Sequence, residues 1–312
     1  MEQFLNYYKT HSKAVSDYSI LNFINSVRRI VRMIELPANE WSLDTFKDSQ
    51  EFVCLLNAKY SYNTAILTIN TLIYCLRCLS YTPRYISEYR DYLNDYIEIR
   101  DIHSQNNVLT DEQAKNWLEY TELKSKVIAL NEYFLKGTHA FTKYRNYLIL
   151  ALYTLAYPVR LGNYIGMLHL KQNEDPLTLP RTHNYIIRDR EGYYTFVFNK
   201  YKTSKTIGQI IYKPDEIVLH RLIAKYFANY TKNQRLFLVN TQGKNMSQTN
   251  LSNALTSVSS KLLGKTLTLN TIRQIFITEF LKKEQTIKEK KRILKIIGQV
   301  YNPSSSELYC KV

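Results

Sequence analysis

The chain has 312 residues, 45% of them hydrophobic, enough apolar surface to bury a core in each of two ordinary domains. Its 42 basic residues outweigh 27 acidic ones for a formal net charge of +15, and only four cysteines are present. Too few cysteines for a disulfide framework, no charged-then-apolar leader pattern and no apolar run of roughly 20 residues together argue against a secreted or membrane-spanning protein; the expectation is an intracellular one.

From the N-terminus the pattern is helical. "DYSILNFINSVRRIVRMIEL" and "SYNTAILTINTLIYCLRCLSY" repeat apolar residues every three or four positions, with Pro37 and Pro83 as punctuation. Cys75 and Cys78 form a C-x-x-C inside the second run. No second ligand pair accompanies it, and the spacing reads as two thiols on an amphipathic helix face rather than as zinc or redox chemistry. Helical "YISEYRDYLNDYIEI" leads into polar "RDIHSQNNVLTDEQ", which sets a domain boundary near Gln105: residues 1–105 form one domain and 106–312 the other. Charge divides at the same place. Up to Gln105 there are 11 basic and 12 acidic residues, leaving 31 and 15 beyond, so the whole basic excess belongs to the second part. A one-sided excess suits a phosphate polymer, whose counterions are released on binding; a basic protein that is merely soluble, or has a membrane-surface patch, would show the same number.

The second part opens with Thr110 as N-cap and Gln113 three residues on, the spacing of a capping box, before a helix through "KNWLEYTELKSKVIAL". The apolar helix "YLILALYTLAY" follows, broken at Pro158. Then "HNYIIRD", "GYYTFVFN" and "GQIIYKP", rich in β-branched and aromatic residues and separated by turn-like stretches, predict a small antiparallel sheet. Helical spacing returns in "DEIVLHRLIAKYFANY", "QTNLSNALTSVSSKLL", "NTIRQIFITEFLKK", "IKEKKRILKIIG" and a short "SSSELYCKV". The class is therefore mainly α with a small antiparallel β-sheet, an α+β chain.

Nucleotide-binding glycine loops, an H-E-x-x-H helix and an Asp/Glu cluster for catalytic magnesium are all missing from the sequence, which points away from ATP-driven and two-metal chemistry. Breaking a phosphodiester without metal requires a nucleophile, cationic forks on the non-bridging oxygens and an acid for the departing oxygen. Candidates exist for each part. Arg160 interrupts an apolar stretch after Pro158, where it can fork onto a phosphate or pair locally. Arg273 lies one turn after Asn270 on a helix, and Lys202 and Lys205 occupy the turn between two predicted strands. Tyr309, one of 27 tyrosines, ends the last short segment.

Taken in order, "LAYPVRLGNYIGM", "FNKYKTSKTIGQ", "LTLNTIRQIFITEF" and "IIGQVYNPSSSELY" resemble the arginine motif, hairpin lysine, H-x-x-R helix and tyrosine tail of the tyrosine recombinase (phage integrase) family. "KYSYNTAILTINTLIYCLR" resembles that family's helical core-binding domain, and "RLFLVNTQGKNMSQTNLSNAL" the segment before its second arginine. The likeness is greatest to the short enzymes of large DNA viruses and related mobile elements. It implies a core-binding domain followed by a catalytic domain that close on duplex DNA and self-associate there as a dimer or tetramer, with no cofactor. Tyr309 would attack the phosphodiester to give a 3′-phosphotyrosyl link, Arg160 and Arg273 would clamp the phosphate, and Lys202 would protonate the leaving 5′-oxygen, with Lys205 the second choice. In the front domain Arg28, Arg29, Arg32, Arg77 and Arg84 would touch the DNA backbone, joined by Lys205. Three positions depart from the family pattern: Asn270 and Gln299 stand where histidines are usual, and Asn163 where an acidic residue is common. Both amides can hydrogen-bond a phosphate but neither takes a proton at neutral pH. The alternative reading is therefore a recombinase-derived DNA-binding protein of structural or regulatory role with weakened catalysis.

Overall fold

Apolar residues recurring on one face of each front helix generate a helical bundle. The computed structural model describes the chain except residues 13–14, 16, 43, 106–108, 171–174, 176, 232–234, 284 and 300–312, and it divides into two compact units, Met1–Asn106 and Asn107–Val312. The first contains α1 (Glu2–His11), α2 (Asp17–Ile34), α3 (Ser49–Lys59), α4 (Tyr62–Cys78) and α5 (Pro83–Gln105). On α2 the buried stripe Phe23, Val27, Ile30 and Met33 faces the unit's core, while Arg28 and Arg32 point to solvent. That stripe packs against α4, whose Ala65, Ile69, Leu72, Ile73 and Leu76 are buried with it. Cys75 belongs to the same face, fully buried, and burial raises its thiol pKa so that it stays protonated.

The second unit runs α6 (Asp111–Asn116), α7 (Tyr120–Ala129), α8 (Asn131–Lys136), α9 (Phe141–Thr154), a 3-10 turn (Leu161–Asn163), β1 (Leu168–Leu170), β2 (Tyr185–Arg188), β3 (Tyr194–Phe198), α10 (Ser204–Ile207), β4 (Ile210–Tyr212), α11 (Ile217–Tyr230), α12 (Gln248–Leu263), α13 (Leu269–Lys282) and α14 (Ile287–Ile296). At its centre lies α9, in which every residue from Tyr147 to Tyr153 is fully buried; each large apolar side chain so buried contributes about 1.5–3 kcal/mol. Two of the buried phenols on α9 are satisfied by backbone: Tyr144 donates to Leu222 O at 2.9 Å and Tyr147 to Val127 O at 2.8 Å. The α+β class stands, and the Thr110–Gln113 capping box forms with both reciprocal hydrogen bonds.

Four details differ from the sequence reading. The helix expected through "KNWLEYTELKSKVIAL" breaks at Trp117–Glu119, where extended backbone lets Leu118 enter the core before α7 restarts and buries Leu123 and Val127. Helix α9 stops at Thr154, short of Pro158, since the residue before a proline disfavours helical backbone. The sheet is mixed rather than wholly antiparallel: in the order β1-β2-β3-β4, β1 pairs with β2 in parallel, Leu168 opposite Tyr185, and only the other pairs are antiparallel. Finally, the connection from β3 to β4 is not a bare hairpin turn but contains the helical turn α10, which carries Lys205.

Candidate functional site

Arg273 lies on the buried side of α13, a helix started by Thr268, whose hydroxyl accepts from Thr271 N at 3.1 Å. Only 4% of Arg273 is exposed, and its Nη1 donates to Pro158 O at 2.6 Å and to Ile297 O at 3.1 Å. One guanidinium thereby joins the segment that leads to Arg160 and the segment that leads to Gln299. Asn270, one turn earlier, sits at the exposed start of the same helix.

Arg160 is half-buried in extended backbone, φ −70° and ψ 153°, immediately before the 3-10 turn that its own carbonyl starts by accepting from Asn163 N. Its Nε is buried and takes no hydrogen-bond partner among the described residues, nor does the side chain form an ion pair among them. The local-carboxylate role that sequence left open for this arginine is therefore not what the described residues provide.

Helix α14 ends in a Schellman motif: Gly298 N bonds Lys295 O and Gln299 N bonds Leu294 O at 2.8 Å, with Gly298 in the left-handed region at φ 73°. The positive φ favours glycine there, and a Cβ would meet Thr203 Oγ1 at 3.6 Å and the Tyr201 ring only in ordinary van der Waals contact. Thr203 donates to Gly298 O at 3.0 Å, so both neighbours of Lys202 rest against the end of α14 while Lys202 itself is exposed. Gln299 is half-buried, and its Nε2 has no partner among the described residues.

The segments bearing Arg160, Lys202, Arg273 and Gln299 are thus linked to one another by hydrogen bonds. Lys202 and Lys205 form no ion pair among the described residues, so cationic charge is left available to an anion. Phenols nearby are kept neutral: burial pushes Tyr201 up to about 12, and burial raises Tyr153 beyond its usual range against the opposing charge of Arg273. Tyr309, the expected nucleophile, lies outside the described residues, as does Cys310. No group of three or more metal-ligating side chains is present among the described residues.

In the first unit, Arg28, Arg32 and Arg84 are exposed; Arg84 approaches Glu88 at 3.8 Å. Arg29 is otherwise engaged: it donates to Thr68 Oγ1 at 2.7 Å and lies 5.4 Å over the Tyr60 ring, which ties α2 to α4. Arg77 sits 5.9 Å over the Tyr74 ring. Sequence reasoning missed the amide of Asn184 and the hydroxyl of Thr203, since one buried asparagine before a strand and one threonine in a loop carry no periodic or motif signal. It also missed an open cleft of about 330 Å³ against the 3-10 turn, lined in part by Gly162, His183, Asn184, Lys200, Asn245 and Gln248.

No protein-family model and no curated protein matches the sequence. Solved structures do. The Tn1549 transposon integrase in complex with circular-intermediate DNA aligns with 100% of this chain and 94% of its own at a TM-score of 0.55 and 13% identity. The same integrase with transposon right-end DNA aligns with 99% of this chain and 93% of its own, at TM-score 0.56 and 14% identity. A XerA recombinase covers 100% of the chain and 92% of its own at only 0.39, with 13% identity. No helix among the described residues is long and apolar enough to cross a membrane. At such low identity the likeness is one of fold, and the chain shares the fold of the Tn1549 integrase.

Proposed function

We propose that the chain is a DNA strand transferase of the tyrosine recombinase type, an integrase or site-specific recombinase of a mobile or viral element. The observation that carries this reading is the Arg273 guanidinium joining Pro158 and Ile297, because it gathers the segments of Arg160, Gln299 and, through Thr203, Lys202. Residues 1–105 act as the helical core-binding domain and 106–312 as the breaking and rejoining domain. In the forward step Tyr309 Oη bonds to phosphorus as the P–O5′ bond breaks. The phenol proton passes to solvent, and the Lys202 ammonium gives its proton to the departing 5′-oxygen, leaving a 3′-phosphotyrosyl link and a 5′-hydroxyl. Arg160 and Arg273 stabilise the charge that grows on the non-bridging oxygens, with Gln299 and Asn270 as neutral donors. Reversal on another 5′-hydroxyl rejoins the strand with neither metal nor ATP. Duplex DNA is the partner, and the fold likeness to integrases solved with DNA supports that choice.

A second reading, a DNA-binding protein with weakened chemistry, is favoured by the amides Asn270 and Gln299 at positions where a proton acceptor would activate the phenol. Losing such help costs typically about 10²–10⁴-fold. The two readings separate in one assay: nicked duplexes tiled from DNA flanking the gene, with a randomised pool, incubated in EDTA without ATP. An SDS-resistant protein–DNA adduct that Tyr309→Phe abolishes supports the transferase. Absence of adduct from protein that still binds the same DNA supports the second reading.

A further inference from the structure

The most densely bonded side chain beside the candidate site belongs to a residue with no role so far. Asn184 is 4% exposed and directly precedes β2. Its Nδ2 donates to Asn163 O and to Lys200 O, both at 2.9 Å, and its Oδ1 accepts from Asn199 N at 2.8 Å and Lys200 N at 2.7 Å. Two donors and two acceptor sites are all that an amide has, and every one is used. The orientation is fixed by the partners, since a flipped amide would set its oxygen against two carbonyls.

Its location explains the arrangement. The backbone ladder between β2 and β3 ends at the pair Tyr185 and Val197. Beyond it the chain leaves β3 for the loop of Lys202, and the Asn184 side chain replaces the missing ladder across residues 199–200. Asn199 Nδ2 returns a bond to His183 O at 2.9 Å, so the loop's first two residues are anchored from both sides. The remaining donor reaches Asn163, the last residue of the 3-10 turn that follows Arg160. Three of the four bonds therefore hold the lysine loop and one holds the arginine turn.

We propose that Asn184 is a positioning residue that sets the Lys202 loop against the Arg160 turn, so that proton delivery to the leaving oxygen depends on it. This inference rests on the transferase reading. No side chain other than an amide of this length supplies two donors and two acceptors from one planar group: an aspartate has no donor, and an alanine or serine reaches none of the four partners.

The test compares two nicked duplexes, one normal and one with sulfur replacing the bridging 5′-oxygen at the scissile phosphate. A 5′-thiolate leaves without a proton, so a defect in proton delivery disappears on the sulfur duplex while a defect in folding or phosphate binding persists. Adduct formation is timed for wild type, Asn184→Ala, the isosteric Asn184→Asp and Lys202→Ala, in protein whose melting transition shows that it is folded. The expected result is a loss of at least about tenfold for both Asn184 variants on the oxygen duplex, smaller than that of Lys202→Ala, where removal of the acid costs about 10²–10⁴-fold. On the sulfur duplex all three variants should return to within about threefold of wild type. Wild-type rates for both Asn184 variants on the oxygen duplex, or equal losses on the two duplexes, would overturn the proposal while leaving the transferase reading intact. No adduct from wild type on either duplex would remove the transferase reading and this inference with it.

Discussion

The two compact units hold their arginines in different ways. In the first, Arg28 and Arg32 stand exposed on α2, while Arg29 is fixed across to α4 by the hydroxyl of Thr68, so none of the three is placed by another arginine. In the second, Arg160, Lys202 and Gln299 belong to non-helical segments that reach one another through backbone carbonyls, with Arg273 and Thr203 as the donors. Placement there is shared, and a change in one segment is passed to the rest. On the proposed transferase role, independent contacts would suit affinity for a uniform backbone and shared placement would suit a single phosphate.

The sharpest way to break the contrast is Arg273→Ala. It takes the donor from Pro158 O and Ile297 O, at a cost of about 1–3 kcal/mol each if they stay buried, and denaturant unfolding should show a loss of about 2–6 kcal/mol. Adduct formation should fall by about 10³-fold, near the upper range for one oxyanion donor. Combined with Arg160→Ala it should fall far less than the product of the single losses, as residues acting as a unit do.

In the first unit effects should be smaller and separable. Arg29→Ala is expected to cost about 1–2 kcal/mol of stability, since it deletes a charged hydrogen bond to Thr68 and a ring contact. Arg28→Gln and Arg32→Gln should change stability by less than about 0.5 kcal/mol. Each should lower the slope of log affinity against log salt by about one, read from binding titrations at several salt concentrations. An Arg28 and Arg32 double variant that fell far from additivity would contradict the independence of these contacts.

His220 sharpens the picture for the second unit, whose interior holds polar groups in fixed states. Its Nδ1 accepts from Tyr194 N at 2.9 Å while Nε2 faces Pro214 O at 2.8 Å, an arrangement that requires the neutral ring with its proton on Nε2. Burial holds its pKa below the usual value, Lys213 adding to the effect and the Pro214 carbonyl opposing it. The unfolded chain therefore binds this proton more readily. The stabilising contribution is complete above the unfolded pKa of about 6.5 and is lost as pH falls through the lower folded value. Denaturation at pH 7.5 and 5.5 should show wild type losing more stability than His220→Gln. The least effect is expected of Tyr153→Phe. The phenol oxygen is buried with no hydrogen-bond partner among the described residues, so its removal should change stability by less than about 0.5 kcal/mol or raise it.

Legibility in the sequence followed local rules. Helix α12 occupies the stretch "QTNLSNALTSVSSKLL" because the Ser247 hydroxyl accepts from Asn250 N and Gly264 closes the helix at φ 67°, signals carried by the residues themselves. Strand β1 has three residues and is made a strand by distant partners, β2 fifteen positions later and Leu236 bridging Leu168 from the other side, so no window around Leu168 reveals it. The break at Trp117 likewise follows from the need to bury Leu118, which periodicity reads equally well as helix. At the candidate site, Arg160 was visible as a charge within an apolar stretch and Arg273 as a helix residue one turn after Asn270, but their link runs through carbonyl oxygens, which every residue has. Asn184 was invisible for the same reason, as three of its four hydrogen bonds go to backbone around residues 199–200.

The most direct test of the account is to identify the residue that bears DNA. Adduct formed on a nicked duplex in EDTA would be digested with protease and nuclease, and the nucleotide-bearing peptide sequenced by mass spectrometry. The account predicts a 3′-phosphoryl nucleotide on Tyr309, absent from Arg273→Ala protein treated in the same way. A nucleotide on any other side chain, or an adduct that forms only when a divalent metal is added, would contradict it.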